Sequence, residues 1–85
     1  MVRLQLSKDE SVKITAFPQT ITISTPQNDN LRARYKIINT YGDVLVFELD
    51  PNQTIEYRVK VGPCTIKNVS PSLPSNRVII VEYSL

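Results

Sequence analysis

The chain has 85 residues, ten basic and eight acidic side chains, a formal charge of +2, two glycines, one cysteine and no histidine. That length fits a single domain over residues 1–85. The charge balance falls short of the basic excess that marks a nucleic-acid binder, and without histidine a Ser-His-Asp hydrolase cannot be assembled, nor can one cysteine make a zinc site. With 41% hydrophobic and 21% charged residues the composition is globular. Nine Ile, nine Val and seven Thr against two Ala make the chain a strand former and a poor helix former.

Period-two alternation recurs from one end to the other. Val2, Leu4 and Leu6 alternate with Arg3 and Gln5. After a polar turn over Ser7–Glu10, Val12 and Ile14 alternate with Ser11, Lys13 and Thr15. Phe17-Pro18-Gln19 separates this strand from a third, in which Ile21 and Ile23 sit between Thr20, Thr22 and Ser24. A polar loop over 25–30 leads to a fourth, with Leu31, Ala33, Tyr35 and Ile37 on one face and Arg32, Arg34 and Lys36 on the other. Gly42 then stands where a hairpin needs a positive φ. The fifth strand, Val44–Leu49, is apolar on both faces apart from Glu48, and Asp50-Pro51-Asn52-Gln53 after it carries a type I turn signature. In the sixth, Ile55, Tyr57, Val59 and Val61 alternate with Glu56, Arg58 and Lys60. Gly62-Pro63 marks a turn, Cys64–Val69 a weaker strand, and residues 70–76 a loop stiffened by Pro71 and Pro74. The last strand, Arg77–Ser84, is again apolar on both faces. The two strands without a wet face, Val44–Leu49 and Val78–Tyr83, belong at the centre of a sheet or against another subunit. Seven or eight short strands at even spacing predict an all-β sandwich or small barrel.

Residues that carry chemistry are sparse. The acids lie on turns (Asp9, Glu10, Asp29, Asp43, Asp50) or on wet strand faces (Glu48, Glu56), which is the placement of solvated surface charge. Asp43 and Asp50 are the pair to weigh for a Ca²⁺ site. No enzyme activity, cofactor or metal is expected. Cys64 can form a disulfide only between chains, and a domain built without an internal one suits an intracellular or virion setting. No apolar run approaches the ~20 residues of a membrane span, and the N-terminus alternates instead of forming a signal-peptide core. The sequons at Asn52 and Asn68 read as chance matches.

Three surface features remain. Leu73, between two prolines, is a candidate anchor for a protein partner, or else it plugs one end of the sandwich. Ile79, Val81, Tyr83 and Leu85 form an apolar row on the C-terminal strand that meets either a second sheet layer or a neighbouring subunit, and the expected interface with a second copy or a larger scaffold runs through it. Arg32, Arg34 and Lys36 share a face, and if the fourth and sixth strands are neighbours Arg58 and Lys60 complete a basic stripe for nucleic acid or another polyanion. Tyr35 and Tyr57 point away from that stripe, which argues against base stacking. Tyr41 is the one aromatic placed to meet a carbohydrate.

Residues 45–59 resemble a pattern of immunoglobulin-like β-sandwiches in prokaryotic surface and viral proteins, where a strand ends in Leu-x-Pro-Gly-x-Thr and an aromatic follows. Leu49, Pro51, Thr54 and Tyr57 match, with Asn52 in the place of glycine. The composition is similar to that of proteins from AT-rich thermophiles and their viruses. The resemblance implies a single antiparallel sandwich, immunoglobulin-like or jelly-roll, in a small virion or cell-surface structural protein such as a capsid accessory, cement or vertex subunit. The expected function is non-enzymatic assembly through apolar strand faces and edges. A polyanion-binding module and a carbohydrate-binding sandwich are the alternatives. About twenty inward apolar side chains, each contributing about 1.5–3 kcal/mol when buried, stand against an ordering entropy of similar size. An isolated monomer of modest stability follows, which favours assembly.

Overall fold

Alternation turns one face of every strand inward, and the chain closes on those faces in two layers. The computed structural model describes residues 1–26 and 30–85. It contains β1 (Val2–Leu6), β2 (Ser11–Ile14), β3 (Gln19–Ser24), β4 (Ala33–Ile38), β5 (Val44–Leu49), β6 (Thr54–Val59), β7 (Cys64–Asn68) and β8 (Ile79–Tyr83). One sheet has the order β1-β8-β3-β6 and the other β2-β7-β4-β5. All pairs are antiparallel: β1 with β8, β2 with β7, β3 with β6 and β4 with β5, joined by β3–β8 and β4–β7. The first half of the chain therefore pairs with the second like one long hairpin, rolled so that consecutive strand pairs fall in alternate sheets. This is the eight-stranded jelly-roll arrangement, and it differs from the immunoglobulin order, in which the second strand lies beside the first.

The core between the layers is built from the alternating positions: Ile14, Ile21, Ile23, Tyr35, Leu49, Ile66, Ile79 and Val81 are all essentially inaccessible. Turn chemistry agrees with local sequence. Asn39 Oδ1 accepts from the backbone of Tyr41 (2.9 Å) and Asp43 (3.0 Å), Gly42 N donates to Asn39 O (3.1 Å), and Gly42 has φ 83°. That is a three-residue hairpin loop with its glycine in the left-handed position. At the β5–β6 corner Gln53 N donates to Asp50 O (3.1 Å) and Asn52 has φ 63°. A positive φ at the third position after a proline makes this a type II turn, not type I, and Asn52 fills the place glycine usually takes.

The long connection between β7 and β8 is tied down by two buried polar residues. Asn68 Nδ2 donates to Leu6 O and Arg77 O (both 2.8 Å), and its Oδ1 accepts from Ser70 N (2.9 Å). Ser70 Oγ accepts from Arg34 N (2.8 Å) and donates to Arg34 O (3.1 Å). One asparagine thus joins the ends of β1, β7 and the segment entering β8. The expected elements shift little: β4 starts at Ala33, β6 stops at Val59 so that Lys60 and Val61 lie beyond it, and β8 begins at Ile79. Asp29, with its neighbours 27 and 28 in the polar loop, lies outside the described residues.

Strand order decides two of the expectations. First, of the two places open to a strand apolar on both faces, β8 takes the centre of a sheet, between β1 and β3. Its row Ile79, Val81 and Tyr83 faces the protein's own core, at 0%, 0% and 9% exposure, because these residues stand opposite the inward Leu6, Leu4 and Val2 of β1. They are unavailable to a partner. Second, β4 and β6 are in different sheets, so Arg32, Arg34 and Lys36 do not form one stripe with Arg58 and Lys60.

Candidate functional site

With the C-terminal strand buried, the exposed apolar surface lies elsewhere. β5 is the outer strand of its sheet, and its first three residues, Val44, Leu45 and Val46, are 53%, 49% and 58% exposed. β6 is the outer strand of the facing sheet, and the two are joined by the Asp50–Gln53 turn. Leu45 and Phe47 on β5 and Ile55, Tyr57 and Val59 on β6 point into the sandwich, yet Leu45 is exposed and the others half-buried, because no further strand closes this side among the described residues. Three rings pack together just inside the opening. Phe47 lies 5.6 Å from Tyr35 and 5.5 Å from Tyr57, and Tyr35 meets Tyr57 edge-on at 6.3 Å. Tyr35 and Tyr57 share a hydroxyl–hydroxyl hydrogen bond of 2.7 Å. Burial, followed by that bond and the neighbouring phenol, pushes the Tyr35 hydroxyl far above its ordinary range. Phe47 and its neighbours form a rigid apolar floor behind the strand.

The backbone of β5 is open as well. Antiparallel pairs alternate between hydrogen-bonded and non-hydrogen-bonded. Asn39 N donates to Asp43 O (3.0 Å), which starts the β4–β5 ladder. Counting from it, Leu45, Phe47 and Leu49 bond to β4, while Val44, Val46 and Glu48 turn their N–H and C=O outward. An independent bond agrees: Val69 N donates to Arg34 O (2.9 Å), so Arg34, the partner of Glu48, directs its backbone to the other side. An exposed apolar edge with an unpaired backbone is a template for another strand.

Charges near this edge cancel. Glu48 pairs with Arg34 (3.2 Å) and Arg32 (3.3 Å), and Arg32 reaches Asp50 (2.8 Å). Hydrogen bonding from Arg34 holds the Glu48 carboxyl below its ordinary value; desolvation opposes it, and the charges of Arg32 and Arg34 with the Arg32 hydrogen bond add to the lowering. Two of the five cations expected to bind a polyanion are therefore neutralised in place. Arg58 lies on β6 of the other sheet and Lys60 just beyond its end, and both line a shallow groove of ≈ 320 Å³ with Pro18, Gln19, Thr20 and Val59. Lys36 has a different neighbour from the expected ones: Lys67 stands directly opposite it on β7, and Lys13 shares the same outer face from β2.

The other candidates are scattered. Leu73 is 79% exposed and does not plug the sandwich, and Leu85 is also exposed. Tyr41 sits exposed at the hairpin tip. Asp43 and Asp50 flank opposite ends of the six-residue β5, about 20 Å of strand apart, and cannot share a cation. Among the described residues no group of three His, Cys, Asp or Glu could hold a metal. Cys64 is buried, and burial pushes its thiol above the ordinary value, so an interchain disulfide there is closed off in the folded protein. Asn68 is buried with its amide fully used, whereas Asn52 is exposed. Among the described residues no helix is long and apolar enough to cross a membrane. The two-sided hydrophobicity of Val44–Leu49 points to the centre of a sheet or to another subunit; strand order puts it at an edge and β8 at a centre.

These features define the class as an all-β, two-layer antiparallel sandwich. No family model matches the chain, and no curated protein or solved structure is significantly similar to it.

Proposed function

We propose that the protein is a non-enzymatic interaction module that works by contact through its open β5/β6 margin. The observation that carries this reading is the triplet Val44, Leu45 and Val46, each about half exposed on an outer strand whose outward backbone groups face no further strand among the described residues. Apolar burial and edge hydrogen bonds are the interactions such a margin offers. Leu73, exposed on the loop before β8, is a secondary anchor. The reading includes a structural role in a virion, as a capsid accessory, cement or vertex subunit; jelly rolls serve in capsids but also in lectins and cupins, so support for that setting is an analogy of fold. The experiment is the native mass of the purified chain by light scattering over a concentration series at low and at moderate salt. A mass above 9.7 kDa that is insensitive to salt and returns to the monomer in Val46→Lys is expected. Assembly that survives Val46→Lys, or a monomer at every concentration, refutes the reading.

One observation favours a second reading, polyanion binding through the outer face of the β2-β7-β4-β5 sheet. Lys36 and Lys67 are cross-strand neighbours, Lys13 lies one strand away, and none has an acidic partner among the described residues. Like charges directly opposite each other destabilise a sheet, and a phosphate chain would relieve that. Binding to an oligonucleotide that weakens steeply between low and moderate salt and is lost in Lys36→Glu/Lys67→Glu supports this reading; salt-independent or absent binding removes it.

A further inference from the structure

The partner fitted by the β5/β6 margin is identified by how the margin matches itself. We infer that it is a second copy of this chain, related by a two-fold axis normal to the sheets, with β5 running antiparallel beside β5 of the other copy and Val46 opposite Val46. The inference rests on the reading that the margin is a contact surface and adds its occupant and register.

Three features point to this arrangement. First, the outward backbone groups belong to alternate residues, Val44, Val46 and Glu48, as established by the ladder parity. Antiparallel self-pairing about Val46 sets Val44 against Glu48, Val46 against Val46 and Glu48 against Val44. Every outward N–H and C=O of the strand then finds a partner, about six hydrogen bonds in all. Sliding the register until Glu48 faces Glu48 would leave two carboxylates opposed and fewer groups paired. Second, the same register brings Leu45 against Phe47 of the other copy, and Phe47 against its Leu45. These are the inward residues of β5 that the open side leaves incompletely covered, so the apolar layer of one copy continues into the next. On the outer face the two Val46 side chains meet at the axis. Glu48 adds no free charge there, since Arg34 and Arg32 already hold it.

Third, the facing strand is complementary in charge. Phe47 and Tyr57 are in ring contact at 5.5 Å, which sets β6 across the sandwich from β5. An axis normal to both layers passes the β6 edge near Tyr57. Antiparallel approach there lays Glu56 beside Arg58 of the second copy, and Arg58 beside its Glu56. Both side chains are exposed, and neither has an ion-pair partner within the chain among the described residues. A two-fold contact thus satisfies the backbone of one layer and the charges of the other.

The test is cysteine cross-linking of the full chain combined with native mass. Opposed residues of a hydrogen-bonded antiparallel pair, as Val46–Val46 and Val44–Glu48 would be, have Cα atoms about 5.5 Å apart, inside the disulfide range. Under mild oxidation Val46→Cys should form a disulfide-linked dimer, Val44→Cys alone should not, and an equimolar mixture of Val44→Cys and Glu48→Cys should give the mixed dimer. Val46→Pro removes an N–H that faces solvent in the monomer, so the β4–β5 ladder survives, and the variant should be a folded monomer by circular dichroism and light scattering. The charge swap Glu56→Arg should weaken the dimer at least tenfold, and adding Arg58→Glu should restore it. Val44→Cys cross-linking as readily as Val46→Cys, or a native mass that keeps growing beyond two chains, overturns the two-fold register while leaving the margin as the contact surface. A monomer at every concentration overturns both.

Discussion

Replacing Asn68 by alanine tests the account of how the long loop is held. The side chain makes three hydrogen bonds in a fully buried site, to Leu6 O, Arg77 O and Ser70 N. Truncation takes the side-chain partner from two carbonyls and one N–H, of which the Arg77 carbonyl is part-buried and the other two buried, and each such group costs about 1–3 kcal/mol. The expected loss is at least about 3 kcal/mol. A chain of this size has a total stability of roughly 4–13 kcal/mol, so the variant is close to unfolding. Its melting temperature should fall by about 12 °C or more. Urea denaturation followed by circular dichroism measures this, with the exposed Asn76→Ala as control. Asn68→Asp sharpens the test. An ionised carboxylate cannot donate to the two carbonyls, and burial raises its pKa. A folded-state pKa above the unfolded value gives stability that is present in full below the unfolded pKa, about 4, and lost as pH rises through the folded pKa. Relative to the native protein, Asn68→Asp should therefore gain stability from pH 7 to 4. A loss under about 1 kcal/mol in Asn68→Ala, or an Asp variant that tracks the native protein across that range, would refute the reasoning.

Further outcomes follow from the same structure. Ile79→Asp should unfold the protein and not merely block assembly, because it places a charge in the sealed core; a native-like near-ultraviolet spectrum would contradict the assignment. Tyr57→Phe should cost about 1–2 kcal/mol by orphaning the Tyr35 hydroxyl, and Tyr35→Phe/Tyr57→Phe should recover part of it in a double-mutant cycle. The raised Tyr35 pKa means that its contribution is complete below about pH 10, the unfolded value, and is lost above it; an alkaline absorbance titration should show that phenol ionising only as the fold opens. Gly62→Ala should be destabilising by about 1–3 kcal/mol because an added methyl would overlap the Phe17 ring, and a stability within error of the native protein would count against the packing described there.

How much of this was legible in sequence depends on the range of the interaction concerned. Val2–Leu6, Ile21 with Ile23, and Ile55 with Tyr57 announce strands because a side chain's face is set by its immediate neighbours. Gly42 and Asn52 announce turns because positive φ is a property of one residue. The tyrosine orientations follow in the same way, and so does the two-layer, all-β class. Candidate contact residues were less legible. Val44–Leu49 and Val78–Tyr83 have the same local character, apolar on both faces, and no rule of period or propensity says which is enclosed.

Composition and alternation by themselves determined an antiparallel sandwich of short strands with no histidine chemistry. Only the tertiary structure decided that the roll places β8 between β1 and β3 and leaves β5 at the margin. It alone separated Arg34 from Arg58, brought Lys36 beside Lys67, and set Asn68 against the backbone of Leu6, 62 residues away, as well as that of Arg77 and Ser70. The physical reason is that strand order arises from pairings between residues as far apart as Val2 and Tyr83. Those pairings are selected by the joint burial of all the inward faces, a quantity that no single segment carries.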